Sequence, residues 1–290
     1  MAWQFIIILQ IIVSSIMTLY IRRVTLSVKK VNFLIGIFSY LSIAICGLLL
    51  STLNNHGMPS LPSGIVWSYI LIEGFCVPLA WYCQYRLIRY IGASNTVMVS
   101  TINTVGAALL GIIFLRELLV AAFVVGVIFI LGSAYISLGL QPDLKHHPKV
   151  SFKTKLMLAS GSFIFFSFGM FFEKLAIDKI GVWNYSCYGW GMQFIGAFLI
   201  FILLGRNEII HLTTKVVRSG LLIGVVTSVS GALYIWAISR GSFSHTIVAT
   251  SGKVAVTMVL SALFLKERNQ LSQRLMAFTL TTIGIVLILF

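Results

Sequence analysis

Lys253 lies in the middle of an apolar run, with Val254-Ala255-Val256 directly after it. An ammonium at the centre of such a run costs about 2.5–3.5 kcal/mol on membrane-insertion scales, which Leu or Ala would avoid. It must therefore face a polar cavity, a partner or both, and the chemistry it offers is recognition of an anion. Glu73, between Ile72 and Gly74, is the acid nearest the middle of a run and carries the same cost. It suits a cationic group, a coupling proton or a buried ion pair with Lys253. Asn103 is central to its own run, and Ser100 and Thr250 add hydrogen-bonding hydroxyls nearby. Gln10 stands one helical turn from Ser14, while Tyr188, Trp190 and Gln193 lie deep in another run, with Trp236 as an apolar wall. For the small and hydroxyl residues the competing reading is tight packing between helices. Tyr82, Tyr85 and Tyr185 fit the aromatic belt at headgroup depth.

These residues are expected to be held by membrane-spanning helices. The chain has 290 residues, 59% of them apolar and 10% charged, with a mean hydropathy of +1.01. Soluble domains carry roughly 25% charged residues, so a soluble enzyme or a disordered chain is excluded. Apolar runs of spanning length cover about 3–21, 32–53, 64–85, 94–115, 118–139, 155–174, 183–204, 219–239, 244–265 and 271–290. The expected fold is an all-α membrane protein of ten transmembrane helices. The first run has no basic n-region and reads as a retained helix. Net charge is +14, but the bases sit in the gaps between runs, where they meet lipid headgroups, so nucleic acid is not an expected partner. Most bases fall on one side of the bilayer; Arg116, Lys174, Lys179 and Arg240 fall on the other. That distribution puts both termini outside the cytoplasm.

The two halves resemble each other. Phe114-Leu115-Arg116-Glu117 recurs as Phe264-Leu265-Lys266-Glu267, at an offset of 150. The same offset pairs Ser94 with Ser244, Thr96 with Thr246, Ser100 with Thr250, Thr101 with Ser251 and Asn103 with Lys253. We read residues 1–139 as a first five-helix repeat, 140–154 as a basic linker and 155–290 as a second repeat. Five is odd, so the second unit enters the bilayer from the opposite face. Inverted repeats of this kind enclose a central cavity and work by alternating access. Glu117 and Glu267, each beside a base at the end of a run, suit capping of the next helix, whose N-terminus favours an anion.

His146-His147 is a weak metal signal, and no phosphate-binding loop, nucleophile elbow or metal-ligand array is visible. Neither a cofactor, a bound metal nor a catalytic residue is expected, and the chain reads as a non-enzyme. The four cysteines lie within apolar runs, which argues against a disulfide framework.

Two five-helix halves that each close on Phe-Leu-(Arg/Lys)-Glu resemble the EamA-type members of the drug/metabolite transporter superfamily. The stretch Ala232 to Ser244, aromatic-rich and ending in a small-residue turn, resembles the end of that family's eighth helix. The resemblance implies a carrier with a central cavity, whose positions here include Gln10, Glu73, Asn103, Ser162, Trp236 and Lys253. It also implies termini in the cytoplasm and outward movement of amino acids, other metabolites or toxic compounds.

The expected function is secondary active transport by alternating access: export of a small polar or amphipathic metabolite, such as an amino acid or organic anion, across the plasma (inner) membrane. The partners are then the small-molecule substrate, a coupling proton or counter-substrate, and membrane lipids. The alternatives are a flippase for a lipid-linked substrate and an assembly subunit that moves nothing.

Overall fold

The computed structural model describes residues 2–27, 32–55, 59, 61–117, 121–140, 150–265 and 270–289. The linker histidines, Lys266 and Glu267 lie outside these. Among the described residues the chain is helical, with no strand. Its helices are α1 (Ala2–Ser27), α2 (Asn32–Asn55), α3 (Gly64–Ile91), α4 (Ala93–Leu115), α5 (Ala121–Gly139), α6 (Phe152–Ile200), α7 (Thr214–Ile238), α8 (Phe243–Ala249), α9 (Lys253–Phe264) and α10 (Leu271–Leu289).

Nine helical stretches among the described residues are long and apolar enough to cross a membrane, against the ten apolar runs of the sequence. The difference lies in α6, where the sixth and seventh runs join. Gly181 breaks the helix there at φ 77° and ψ 163°, a backbone conformation that only glycine adopts readily. The ninth run divides instead into α8 and α9, separated by a tight 3-10 turn, Thr250–Gly252.

Several helices outrun their apolar cores. α1 continues past its expected end at residue 21, which buries Arg22 at 1% exposure. The Arg22 guanidinium donates to the carbonyls of Ile88 (2.7 Å) and Arg89 (3.0 Å) at the end of α3. The last carbonyls of a helix have no partner within it, and a cation there also meets the negative end of the dipole. Arg22 is thus part of the fold rather than a headgroup contact. Lys174 does the same for α7, donating to the Ile238 carbonyl at 3.3 Å and pairing with Asp178 at 2.6 Å.

Acids cap the opposite ends. The Glu117 carboxylate accepts from the backbone N–H groups of Phe243 and Ser244 (2.9 Å each) and from the Ser244 hydroxyl. It therefore caps α8, far along the chain, rather than the next helix. Arg116 adopts a left-handed conformation (φ 58°) that turns the chain there. Glu208 accepts from Phe33 N (2.9 Å) and Leu34 N (3.2 Å) at the start of α2.

The most extensive contacts join the first half to the second: α3 with α6, α2 with α6 and α7, α1 with α7, and α5 with α10. Small residues allow them. A Cβ on Gly196 would collide with the backbone of Gly74, so α3 and the second part of α6 touch main chain to main chain. Pro78 in α3 removes the hydrogen bond that the Gly74 carbonyl would otherwise accept. Ser133 of α5 donates to Ala277 O (2.7 Å) of α10, and Thr104 of α4 meets Ser251 at 2.8 Å.

Candidate functional site

The two halves enclose a cavity of about 130 Å³. Its floor and walls come from α1, α2, α3, α4, α6, α7, the 3-10 turn and the first residue of α9. Of the residues singled out in the sequence, Gln10, Ser100, Trp190, Gln193, Thr250 and Lys253 line it, together with Ser14. Four others do not. Asn103 is 3% exposed and donates to Ser162 Oγ (3.0 Å), while its carbonyl accepts from Ser167 (3.1 Å), so it ties α4 to α6. The Tyr188 hydroxyl donates to Pro59 O (2.8 Å), outside the cavity. Trp236 is 36% exposed on the outer surface, with the Arg240 guanidinium 4.8 Å from its ring centre. Glu73 is fully buried behind the wall, where it accepts from Gln193.

Lys253 is positioned by the broken ninth run. α8 ends at Ala249, the 3-10 turn tightens the chain, and Lys253 opens α9. Short 3-10 stretches inside a helix often mark a hinge. The Ser15 hydroxyl donates to the Lys253 carbonyl (3.3 Å), which anchors the break to α1. The Lys253 ammonium has no hydrogen bond or ion pair with any described residue, so the expected pairing with Glu73 does not form.

The acid that faces the cavity is Glu173, which the sequence reading passed over. Glu173-Lys174 looked like the polar end of the sixth run. The helix continues through Leu175, Ala176 and Ile177, the last two buried, and that apolar continuation was the available signal. Glu173 is 7% exposed and interacts electrostatically with Glu73. Tyr185, expected at headgroup depth, is fully buried near both carboxyls. Tyr85 is likewise buried, whereas Tyr82 accepts from Arg86 (2.6 Å) within α3. Glu117, Glu208 and Asp178 all serve helix ends or surface pairs, which leaves Glu73 and Glu173 as the interior acids among the described residues.

Several buried polar atoms at the cavity have no partner: Gln10 Oε1 and the hydroxyls of Tyr40 and Tyr234. Just behind the wall, Glu73 Oε2 and the Tyr185 hydroxyl are in the same position. Buried polar groups in native proteins are nearly always satisfied, so these atoms ask for water or a ligand. Trp81, Phe166 and Trp190 complete the lining with aromatic surface. The arrangement can bind an anionic group at Lys253 and a cationic group or a proton at Glu173, against an aromatic wall. It offers no cluster of metal ligands among the described residues.

Comparison with known proteins bears on the fold and the second half. A solved crystal structure superposes on 99% of this chain and 96% of its own, with a TM-score of 0.68 at 12% identity, which shows a shared fold. An uncharacterized protein of Methanocaldococcus jannaschii is 29% identical over 126 residues, 43% of this chain and 88% of that protein. Residues 153–290 match the EamA-like transporter family. With its series of apolar helices, the chain is an integral, multi-pass membrane protein whose second half is similar to EamA-like transporters.

Proposed function

We propose that the chain is a secondary transporter that exports a small zwitterionic or amphipathic metabolite by alternating access. The observation that carries this is Lys253, an unpartnered ammonium at a helix break, facing a cavity that also holds Glu173. Keeping a cation in an apolar segment costs about 2.5–3.5 kcal/mol, and no described side chain offsets it. An anionic passenger would. The acid Glu173, with Trp190 and Tyr234 beside it on the lining, suits the passenger's ammonium. When no ammonium is bound, a coupling proton takes its place on the Glu173–Tyr185–Glu73 group.

Alternating access rests on reading the halves as inverted repeats of five spans, with α6 counted as two spans about Gly181. The helix contacts support it. Exchanging the halves turns the α1–α7 contact into α3–α6, and maps α5–α10 and α4 with α8–α9 onto themselves. The cationic caps also correspond: Arg22 serves Ile88 and Lys174 serves Ile238, carbonyls 150 residues apart. The Methanocaldococcus relative, of which 126 residues are 88%, is about half the length of this chain, as a single repeat unit would be.

A thermal-shift screen of the detergent-purified protein against a metabolite panel tests the reading. A ligand that binds only the folded state raises the melting temperature. Zwitterions such as amino acids should do so in the wild type, simple cations and sugars should not, and the shift should vanish in Lys253→Ala. A panel in which only uncharged compounds stabilise the protein contradicts the proposal.

A further inference from the structure

A second concavity opens on the outer surface, between α2, α6 and α7. It has a volume of about 450 Å³ and is almost wholly apolar. Leu49, Leu50, Val225, Val229 and Trp236 form its walls, with Trp183 at one end. Ser228 and Ala232 form a low floor, and the Ser228 hydroxyl is already used, donating to Gly224 O (2.8 Å). Leu49 is 55% exposed, Val225 46% and Val229 49%. A polar passenger would find no partner here, so this is not a branch of the central cavity.

The dimensions and the ends of the groove point to its occupant. α2 and α7 run side by side in the same direction, Gly220 against Ile35 and Phe38, and Gly224 against Ser39 and Ser42. From Val225 to Trp236 the groove follows α7 for about 16 Å at 1.5 Å per residue. That is half of a roughly 30 Å hydrocarbon core. Val225 is near the middle of α7, and Trp236 is two residues from its end. Trp183 and Trp236 therefore stand where tryptophans prefer to stand, at headgroup depth. Arg240 lies just beyond, exposed, with its guanidinium over the Trp236 ring and no ion pair to any described residue. A slot one leaflet deep, almost wholly apolar and with a guanidinium just beyond its headgroup end, over the Trp236 ring, matches a single lipid chain attached to a phosphate.

We infer that this groove is a binding site for one anionic phospholipid, whose acyl chain lies along α7 over Ala232 and whose headgroup meets Arg240. The site is independent of the transport reading, since none of its contacts faces the cavity. The test uses the full-length protein in mild detergent, titrated with phosphatidylglycerol or phosphatidylcholine of identical acyl chains and read by native mass spectrometry. The wild type should retain one phosphatidylglycerol with about tenfold preference, as one added charge-assisted contact gives. Arg240→Gln, a change at an exposed residue, should bring the two lipids to equal retention. Ala232→Trp should fill the floor and lose both, while Lys253→Ala should bind as the wild type does. Equal retention of the two lipids by the wild type overturns the inference, as does an undiminished preference in Arg240→Gln.

Discussion

Asn103 and Lys253 occupy the same register, 150 residues apart, in segments that share Ser94/Ser244, Thr96/Thr246 and Ser100/Thr250. In α4 the helix is unbroken, and Asn103 bonds to Ser162 while its carbonyl accepts from Ser167. In the other segment the helix is interrupted at Thr250–Gly252, and Lys253 is left facing the cavity with nothing bound to its ammonium. Ser100 and Thr250 spend their hydroxyls alike, each on a carbonyl three residues back (2.9 and 2.6 Å). The contrast teaches that a polar residue inside the bilayer becomes part of the packing where a neighbouring helix answers it, and becomes available to a ligand where the helix breaks and no neighbour does.

The largest expected effect breaks this comparison at its functional end. Lys253→Ala should lower substrate flux in proteoliposomes by about a hundredfold, since removing one member of a buried charge contact costs about 2–5 kcal/mol. The same protein should melt no lower than the wild type, because the insertion cost of the ammonium is removed. Asn103→Ala should do the reverse: a loss of about 1–3 kcal/mol in stability, read by thermal melting, with transport per folded molecule near normal. Next, Glu173→Gln should lower flux about tenfold and remove its response to a pH gradient, as one charge-assisted contact would. Glu73→Gln, behind the wall, should cost less, and equal effects would place the two acids on the same footing. Smaller still, Glu117→Ala should destabilise by about 1–2 kcal/mol through loss of the α8 cap, measurable as a lowered melting temperature. Gly181→Ala should cost about 1–2 kcal/mol through its left-handed backbone, read in the same assay.

Much of this architecture could be read from the chain alone, because spanning helices announce themselves by length and apolarity. Lys253 was legible for the same reason: a charge in an apolar run has few explanations. What the sequence could not show is which neighbour a side chain meets. Asn103 and Lys253 look equivalent until Ser162 is brought beside one of them. Trp236 and Trp190 both sit in apolar, aromatic-rich runs, yet one faces outward and the other the cavity. Glu173 was hidden by its neighbour Lys174, since two adjacent charges mimic the end of a span. Arg22 and Tyr185 were assigned to the membrane surface by residue type, whereas the end of α3 holds Arg22 inside and Tyr185 is fully buried near Glu73 and Glu173. The Thr250-Ser251-Gly252 break leaves the polar stripe in step, so periodicity does not register it.

The most direct test of the central claim is flux of a stabilising zwitterion through proteoliposomes holding the wild type, Lys253→Ala or Asn103→Ala at equal folded amounts. The account predicts transport by the wild type and by Asn103→Ala, and about a hundredfold less by Lys253→Ala. Undiminished flux through Lys253→Ala would contradict it.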